Sequence, residues 1–162
     1  MITANELAAT FARNVSICQR QCEGLRHADS LLQPEHRGNC LNWVLGHIAA
    51  YRTTILRALK EPPTISEAHW SRYGYGSEPV LADGDDLLRL EELLALLESS
   101  QDTIEKRLSE LSAEELAESV EWLWGEEITL GQFLFYLCWH EAFHTGQTEY
   151  LRQLTGVNDK VI

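Results

Sequence analysis

Two histidines four residues apart are the clearest chemical signal in this sequence. His140 and His144 lie in a stretch whose apolar residues recur with helical spacing. On a helix, residues four apart lie one above the other, about 5 to 6 Å apart at Cβ, so their imidazoles can bind the same ion. The spacing therefore indicates a candidate metal site.

The segment from His140 to His144 also reads HExxH, the motif of zinc proteases in which the glutamate is the general base. The extended protease motif continues with a glycine and a histidine, but Gln147 and Tyr150 occupy those positions here. The acidic residues after His144 are not suitably placed as ligands. A third ligand must therefore come from an earlier part of the chain.

His47 is the best candidate for that third ligand, because it lies between Val44 and Tyr51, beside the apolar stripe of another predicted helix. The other histidines fall in or near predicted connections, where an exposed side chain is the ordinary expectation; they are His27, His36 and His69. We therefore predict one divalent metal ion per chain, held by His47, His140 and His144.

Three neutral imidazoles leave at least one coordination position open, as in catalytic metal sites. An ion there lowers the pKa of bound water to about 7 or deprotonates a bound thiol. Glu141 is then either a catalytic base or hydrogen-bond acceptor beside the site, or a solvent-facing residue. Gln147 and Tyr51, each one turn from a ligand, either line the site or pack in the core.

The first two predicted helices have clear limits. Thr3 and Glu6 form a capping-box pair, after which apolar residues alternate at spacings of four and three. The second helix runs from about Asn39 and ends before Pro62 and Pro63. This second helix presents His47 on its inward face.

The third and fourth predicted helices follow a long connection. The third carries a leucine-rich stripe from Leu87 to Leu111, with Asp83 or Asp85 as its cap. The fourth is capped by Thr129 and Gln132. Its predicted inward stripe is Phe133, Leu137, His140, His144, Gln147, Leu151 and Leu154.

Residues 61–84 hold three of the four prolines and show no helical periodicity. A connection of this length can recross a bundle, so the second and third helices are expected to be parallel neighbours. Trp70, Arg72 and Tyr73 are candidates for a lid over the site.

Between the third and fourth helices, a short helical turn at 112–115 and a small hairpin over 120–128 are predicted. The whole chain, 1–162, is thus expected to be one all-α domain, a four-helix bundle.

Composition excludes several classes of function. The net charge of −12 would repel a phosphate backbone, so nucleic acid is not an expected partner. The longest apolar run, 133–139, is far shorter than the roughly 20 residues that span a bilayer, so no membrane association is expected. The first residues do not resemble a secretory signal, and the four cysteines show no CxxC spacing. We therefore expect a cytoplasmic protein with reduced thiols.

Two segments carry a family resemblance: NWVLGH at 42–47 and HEAFHTGQ at 140–147 resemble the signature segments of the DinB/YfiT-like metalloenzyme superfamily. The resemblance extends over essentially the whole chain. It implies ligand histidines at His47, His140 and His144, an up-down-down-up bundle, zinc or nickel as the ion, and frequent homodimers. It also implies chemistry like that of relatives that use the thiols bacillithiol and mycothiol.

Three functions remain open from the sequence. The first is a metal-dependent transferase that activates a low-molecular-weight thiol for attack on an electrophile. The second is a metal-dependent hydrolase that uses bound water, with Glu141 as a possible base. The third is a non-enzymatic metal-binding protein of a stress response.

A homodimer is expected because four residues fall off the inward stripes and would add exposed apolar surface: Leu88, Leu96, Cys138 and Trp139.

Overall fold

Four long helices dominate the computed structural model, which describes residues 2–122, 125–157, 159 and 161. The long helices are α1 (Ala4–Cys22), α3 (Leu41–Ala58), α5 (Leu90–Glu110) and α7 (Leu130–Gln153). Three short helices and one hairpin connect them: α2 (His27–Ser30), α4 (Glu67–Tyr73), α6 (Ala113–Leu116), and the strands β1 (Ser119–Glu121) and β2 (Glu127–Thr129). The predicted all-α fold is confirmed.

The long helices form a bundle in which α1 and α3 each pack against both α5 and α7. The interior contains two clusters of buried apolar side chains, one toward each end of the bundle. Burial of these side chains supplies the main stabilising free energy, at about 25 cal/mol per Å² of apolar surface. In the part of the chain that the structure describes, no helix is long and apolar enough to cross a membrane.

The helices α3 and α5 run in the same direction. Asn42 Nδ2, at the start of α3, donates to the Leu88 carbonyl just before α5 (2.9 Å). Arg107 Nε, near the end of α5, donates to the Leu59 carbonyl just after α3 (3.3 Å). The connection between them therefore returns the chain to the end at which α3 began, as expected for parallel neighbours.

The predicted caps of α1 and α7 are confirmed. Thr3 Oγ1 accepts from the Glu6 backbone N–H, and Thr129 Oγ1 accepts from the Gln132 backbone N–H, each at 3.2 Å. In both cases the side chain at the third position returns a hydrogen bond to the cap residue. Each reciprocal pair satisfies backbone donors that the first turn of a helix leaves free.

The predicted cap of α5 is wrong. The cap is Arg89, not Asp83 or Asp85, and its backbone N–H donates to the Glu92 carboxylate at 2.7 Å. Asp83 instead accepts hydrogen bonds from His27 (3.0 Å) and Arg89 (3.2 Å). Because α5 begins only at Leu90, the preceding leucines belong to the connection.

The long connection contains a helix that the sequence did not predict. α4 is only seven residues long, too short for a helical period to be recognised, and Ser66 caps it by accepting from the His69 backbone N–H at 3.2 Å. The predicted turn near Ser112 is confirmed as α6. The predicted hairpin is confirmed as antiparallel β1 and β2, although residues 123 and 124 of the predicted span lie outside the described residues.

The predicted inward face of α7 is wrong by about one position. The buried residues are Leu130, Leu134, Leu137, Cys138, Glu141, Thr145, Thr148, Leu151 and Arg152. His140 and His144 are only half-buried, so they border the bundle interior where the sequence placed them at its centre. Relative to the prediction, α7 is rotated about its axis so that Glu141 lies in the core, opposite Arg52 of α3.

Candidate metal centre

The three candidate ligand histidines converge on one point. His47 extends from the first half of α3, and His140 and His144 extend from consecutive turns of α7. His140 Nε2 lies 3.4 Å from His47 Nε2 and 3.2 Å from His144 Nε2, and one ligand nitrogen from each ring lies within 4.8 Å of the other two. Two nitrogens bound tetrahedrally to zinc at about 2.0 to 2.1 Å would be roughly 3.3 Å apart. The three rings therefore fit a divalent ion.

The electrostatics of the site favour neutral imidazoles. Burial, together with the neighbouring His144 and His140, lowers the pKa of His47 to about 4. Burial likewise lowers the pKa of His140 to about 4 and lowers that of His144. All three rings are consequently unprotonated near neutral pH, which is the form that binds a metal.

Hydrogen bonds at Nδ1 orient two of the rings. His47 Nδ1 lies 2.7 Å from the Tyr73 backbone carbonyl, and His144 Nδ1 lies 2.8 Å from Gln147 Oε1. Because each oxygen can only accept, the proton is on Nδ1 and the lone pair is on Nε2. Both Nε2 lone pairs are therefore available on the side where the three rings meet. The Gln147 side chain itself is exposed.

Aromatic side chains surround the ligand rings. Trp43 stacks on His47 with a centroid distance of 4.5 Å and an interplanar angle of 16°. Tyr51 packs against His140 at 4.3 Å, and Phe143 meets His144 edge-on at 5.3 Å. These contacts pack the ligand rings against aromatic surface and restrict their rotamers.

Glu141 is buried in the core, so the solvent-facing alternative is excluded. Its carboxylate oxygens accept from Arg52 Nη2 at 2.8 Å and from Arg52 Nε at 2.9 Å. Both carboxylate oxygens of Glu141 are thus occupied in the ion pair with Arg52. Arg52 was not recognised from the sequence, although a basic residue at helical spacing from Ile48 and Ile55 was an available signal.

The candidate lid residues have other roles in the structure. Tyr73 is fully buried against α3, and Trp70 packs on the apolar core. Arg72 Nε forms an ion pair with Asp86 at 2.8 Å. The backbone carbonyl of Tyr73 does contact the site, at His47 Nδ1. Every residue type carries such a carbonyl, so no sequence pattern can indicate this contact.

The remaining histidines lie apart from the cluster. His36 is exposed and His69 is half-buried, but the expectation that His27 is exposed is wrong. His27 is buried, with Nδ1 accepting from the Leu90 backbone N–H at 3.1 Å and Nε2 donating to Asp83. It therefore serves as a hydrogen-bonding partner at the start of α5.

Comparisons with known proteins agree with this architecture. The model of the DinB superfamily matches residues 19–148, a range that contains all three candidate ligands. The crystal structure of a conserved protein from Enterococcus faecalis superposes with a TM-score of 0.73 and 17% sequence identity, covering 96% of this chain and 98% of that one. At that identity, the similarity shows a shared fold. No curated protein matches the chain.

Proposed function

The chain belongs to the DinB superfamily, and we propose that it is a divalent-metal-dependent transferase that activates a low-molecular-weight thiol at His47, His140 and His144. The observation that carries the proposal is the convergence of three Nε2 atoms at 3.2 and 3.4 Å. Zinc or nickel is the ion we propose, since imidazole suits both. When bound, such an ion deprotonates a coordinated thiol at neutral pH and leaves at least one position for it.

The residues around the site support this chemistry. The Tyr73 carbonyl and the Gln147 amide keep the Nδ1 protons on their rings, so that Nε2 stays unprotonated. Trp43 and Tyr51 place aromatic surface beside the ligands. In the proposed reaction the thiol releases its proton to water and its sulfur forms a bond to the electrophilic carbon. The bond from that carbon to the leaving group breaks, and the leaving group departs with the electron pair.

The nucleophile must come from a cosubstrate, because all four cysteines of the chain are buried. Burial raises the pKa of Cys138, the cysteine nearest in sequence to the site, to about 12. Burial also raises the pKa of Cys18 and of Cys22 to about 12. At neutral pH these side chains remain protonated thiols, whereas the thiolate is the attacking form.

The test is a metal-dependent conjugation assay. The metal-loaded protein is supplied with bacillithiol, mycothiol or glutathione and a chromogenic electrophile, and S-conjugation should be faster than without protein. His140→Ala should lose the acceleration, and Cys138→Ala should keep it because the cosubstrate supplies the sulfur.

Two other outcomes would replace the transferase proposal. Cleavage of a simple ester or amide without any thiol would favour a hydrolase, which needs only the same ligands and a bound water. A protein that binds its ion but accelerates neither reaction would favour a non-enzymatic metal-binding role.

A further inference from the structure

The side chain of Tyr73 is fixed at its far end by two different elements. Its hydroxyl donates to Asn42 Oδ1 on α3 (3.0 Å) and accepts from the Leu88 backbone N–H just before α5 (2.9 Å). Asn42 Nδ2 in turn donates to the Leu88 carbonyl at 2.9 Å. With 0% of its surface exposed, Tyr73 cannot move without breaking buried hydrogen bonds, which are costly to leave unmade.

The ring of Tyr73 lies directly on the backbone of Gly46. A Cβ at Gly46 would lie 2.2, 2.4 and 2.5 Å from three atoms of that ring, far inside van der Waals contact. Glycine therefore allows the close approach, and any larger residue would push the ring away. Gly46 immediately precedes His47, so the contact is adjacent to a candidate ligand.

The backbone of Tyr73 makes the second contact with this part of α3. Its carbonyl lies 2.7 Å from His47 Nδ1, while Nε2 of the same ring faces His140 at 3.4 Å. A neutral imidazole has two tautomers, and a carbonyl acceptor at Nδ1 selects the one whose Nε2 is unprotonated. The acceptor belongs to the connection between α3 and α5, not to either of the two helices that carry the ligands.

We propose that Tyr73 is a positioning residue of the metal centre. Its buried ring lies on Gly46, and its hydroxyl is hydrogen-bonded to Asn42 and Leu88. These contacts keep its carbonyl against His47 and so fix the tautomer and orientation of that ligand. The inference rests on the proposed metal site. It adds that the connection between α3 and α5 must be ordered for the site to bind its metal ion with full affinity. Partners that orient a ligand histidine commonly contribute about 10-fold to 100-fold in metal affinity.

The test measures cobalt(II) affinity by competition with a chelator, with cobalt as the probe ion. Gly46→Ala should weaken binding by about 10-fold to 100-fold because the ring and its carbonyl are displaced. Tyr73→Phe keeps the ring but loses both hydroxyl hydrogen bonds, so it should weaken binding less. Gln33→Ala is the matched control, because it removes a hydrogen bond to the same connection, at the Val80 carbonyl (2.9 Å), and Gln33 does not pack on a ligand ring.

Proton NMR of the cobalt-loaded protein supplies a readout at the ligand itself, because the paramagnetic shift of a ring proton depends on its position relative to the ion. The His47 Nδ1 proton should give a paramagnetically shifted signal that exchanges slowly with solvent, and Gln147→Ala identifies the corresponding His144 signal. The paramagnetic shift of the His47 proton should change in Tyr73→Phe and keep its wild-type value in Gln33→Ala, whereas a general loss of stability lowers the amount of folded protein and leaves that shift in place.

The outcomes separate this inference from the proposed function. Unchanged affinity and an unchanged shift of the His47 proton in both Gly46→Ala and Tyr73→Phe, with cobalt bound by the wild type, would overturn the positioning role alone. A wild-type protein that binds no cobalt would overturn the metal site and the positioning role together. Should Gly46→Ala fail to fold, Tyr73→Phe decides by itself.

Discussion

The guanidinium of Arg52 and the carboxylate of Glu141 form a two-pronged ion pair in the interior of the bundle, with N–O distances of 2.8 and 2.9 Å. Arg52 is 0% exposed and Glu141 is 3% exposed. The remaining donors of Arg52 reach acceptors on α1 and α5, namely Phe11 O, Leu97 O, Ser100 Oγ and Gln101 Oε1. One side chain of α3 therefore links all four long helices.

Removing one partner of this pair should strongly destabilise the fold. Glu141→Ala leaves a buried guanidinium without its counter-charge, and a loss of about 3 to 5 kcal/mol in the free energy of unfolding is expected. Urea denaturation measures this loss. The double variant Arg52→Leu/Glu141→Leu should be less destabilised than Glu141→Ala, because it leaves no unpaired charge. A loss below about 1 kcal/mol in Glu141→Ala would show that the pair is not buried as described.

The metal site predicts about one divalent ion per chain. Elemental analysis of the purified protein should find that ion, and the double variant His47→Ala/His144→Ala should lose it, since each imidazole supplies one bond. His36→Ala, at an exposed histidine, is the control and should retain the ion. Equal metal in the wild type and the double variant would disprove the ligand assignment.

His27 should matter for stability and not for metal binding. Its Nδ1 accepts from the Leu90 backbone N–H, one of the donors that the first turn of α5 leaves free. Loss of such an acceptor costs about 0.5 to 2 kcal/mol, so His27→Ala should unfold at lower urea than the wild type while keeping its ion. His36→Ala again serves as the control and should unfold like the wild type. Loss of the ion in folded His27→Ala would contradict this separation of roles.

The sequence was sufficient to predict the features that depend on local patterns. Thr129 with Gln132 is a short-range cap, and the spacing of His140 and His144 is a property of one helix. The third candidate ligand, His47, could be chosen because the apolar stripe on either side of it marks an inward face. These features need no knowledge of where the other helices lie.

The features that were missed depend on contacts between distant parts of the chain. The apolar stripe left Glu141 either beside the site or facing solvent, and only the opposing Arg52 makes its burial in the core tolerable. Arg89 is an unusual cap residue, and the start of α5 is completed by Glu92 together with His27 from far away in the sequence. Tyr73 acts on the site through its carbonyl, which every residue type carries.

The structure offers a different surface for the expected homodimer from the one that the sequence suggested. Of the four residues proposed to be exposed, Cys138 is buried, and Leu88 and Leu96 pack against the apolar core. Only Trp139 is substantially exposed. It belongs to a row of aromatic side chains on the outer face of α7, each 43% to 57% exposed: Phe135, Tyr136, Trp139, Phe143 and Tyr150.

We therefore predict that a second copy of the chain covers this aromatic face of α7. Large exposed apolar patches are uncommon on monomers, and aromatic residues are enriched at protein interfaces. Analytical ultracentrifugation at tens of micromolar should show a homodimer. Trp139→Glu should shift the protein toward monomer, because the interface would then have to bury an unpaired carboxylate. Leu81→Glu, at an exposed leucine of the connection between α3 and α5, is the matched control and should leave the dimer intact. A wild-type monomer would contradict the dimer itself, and a dimer unaffected by Trp139→Glu would place the interface elsewhere.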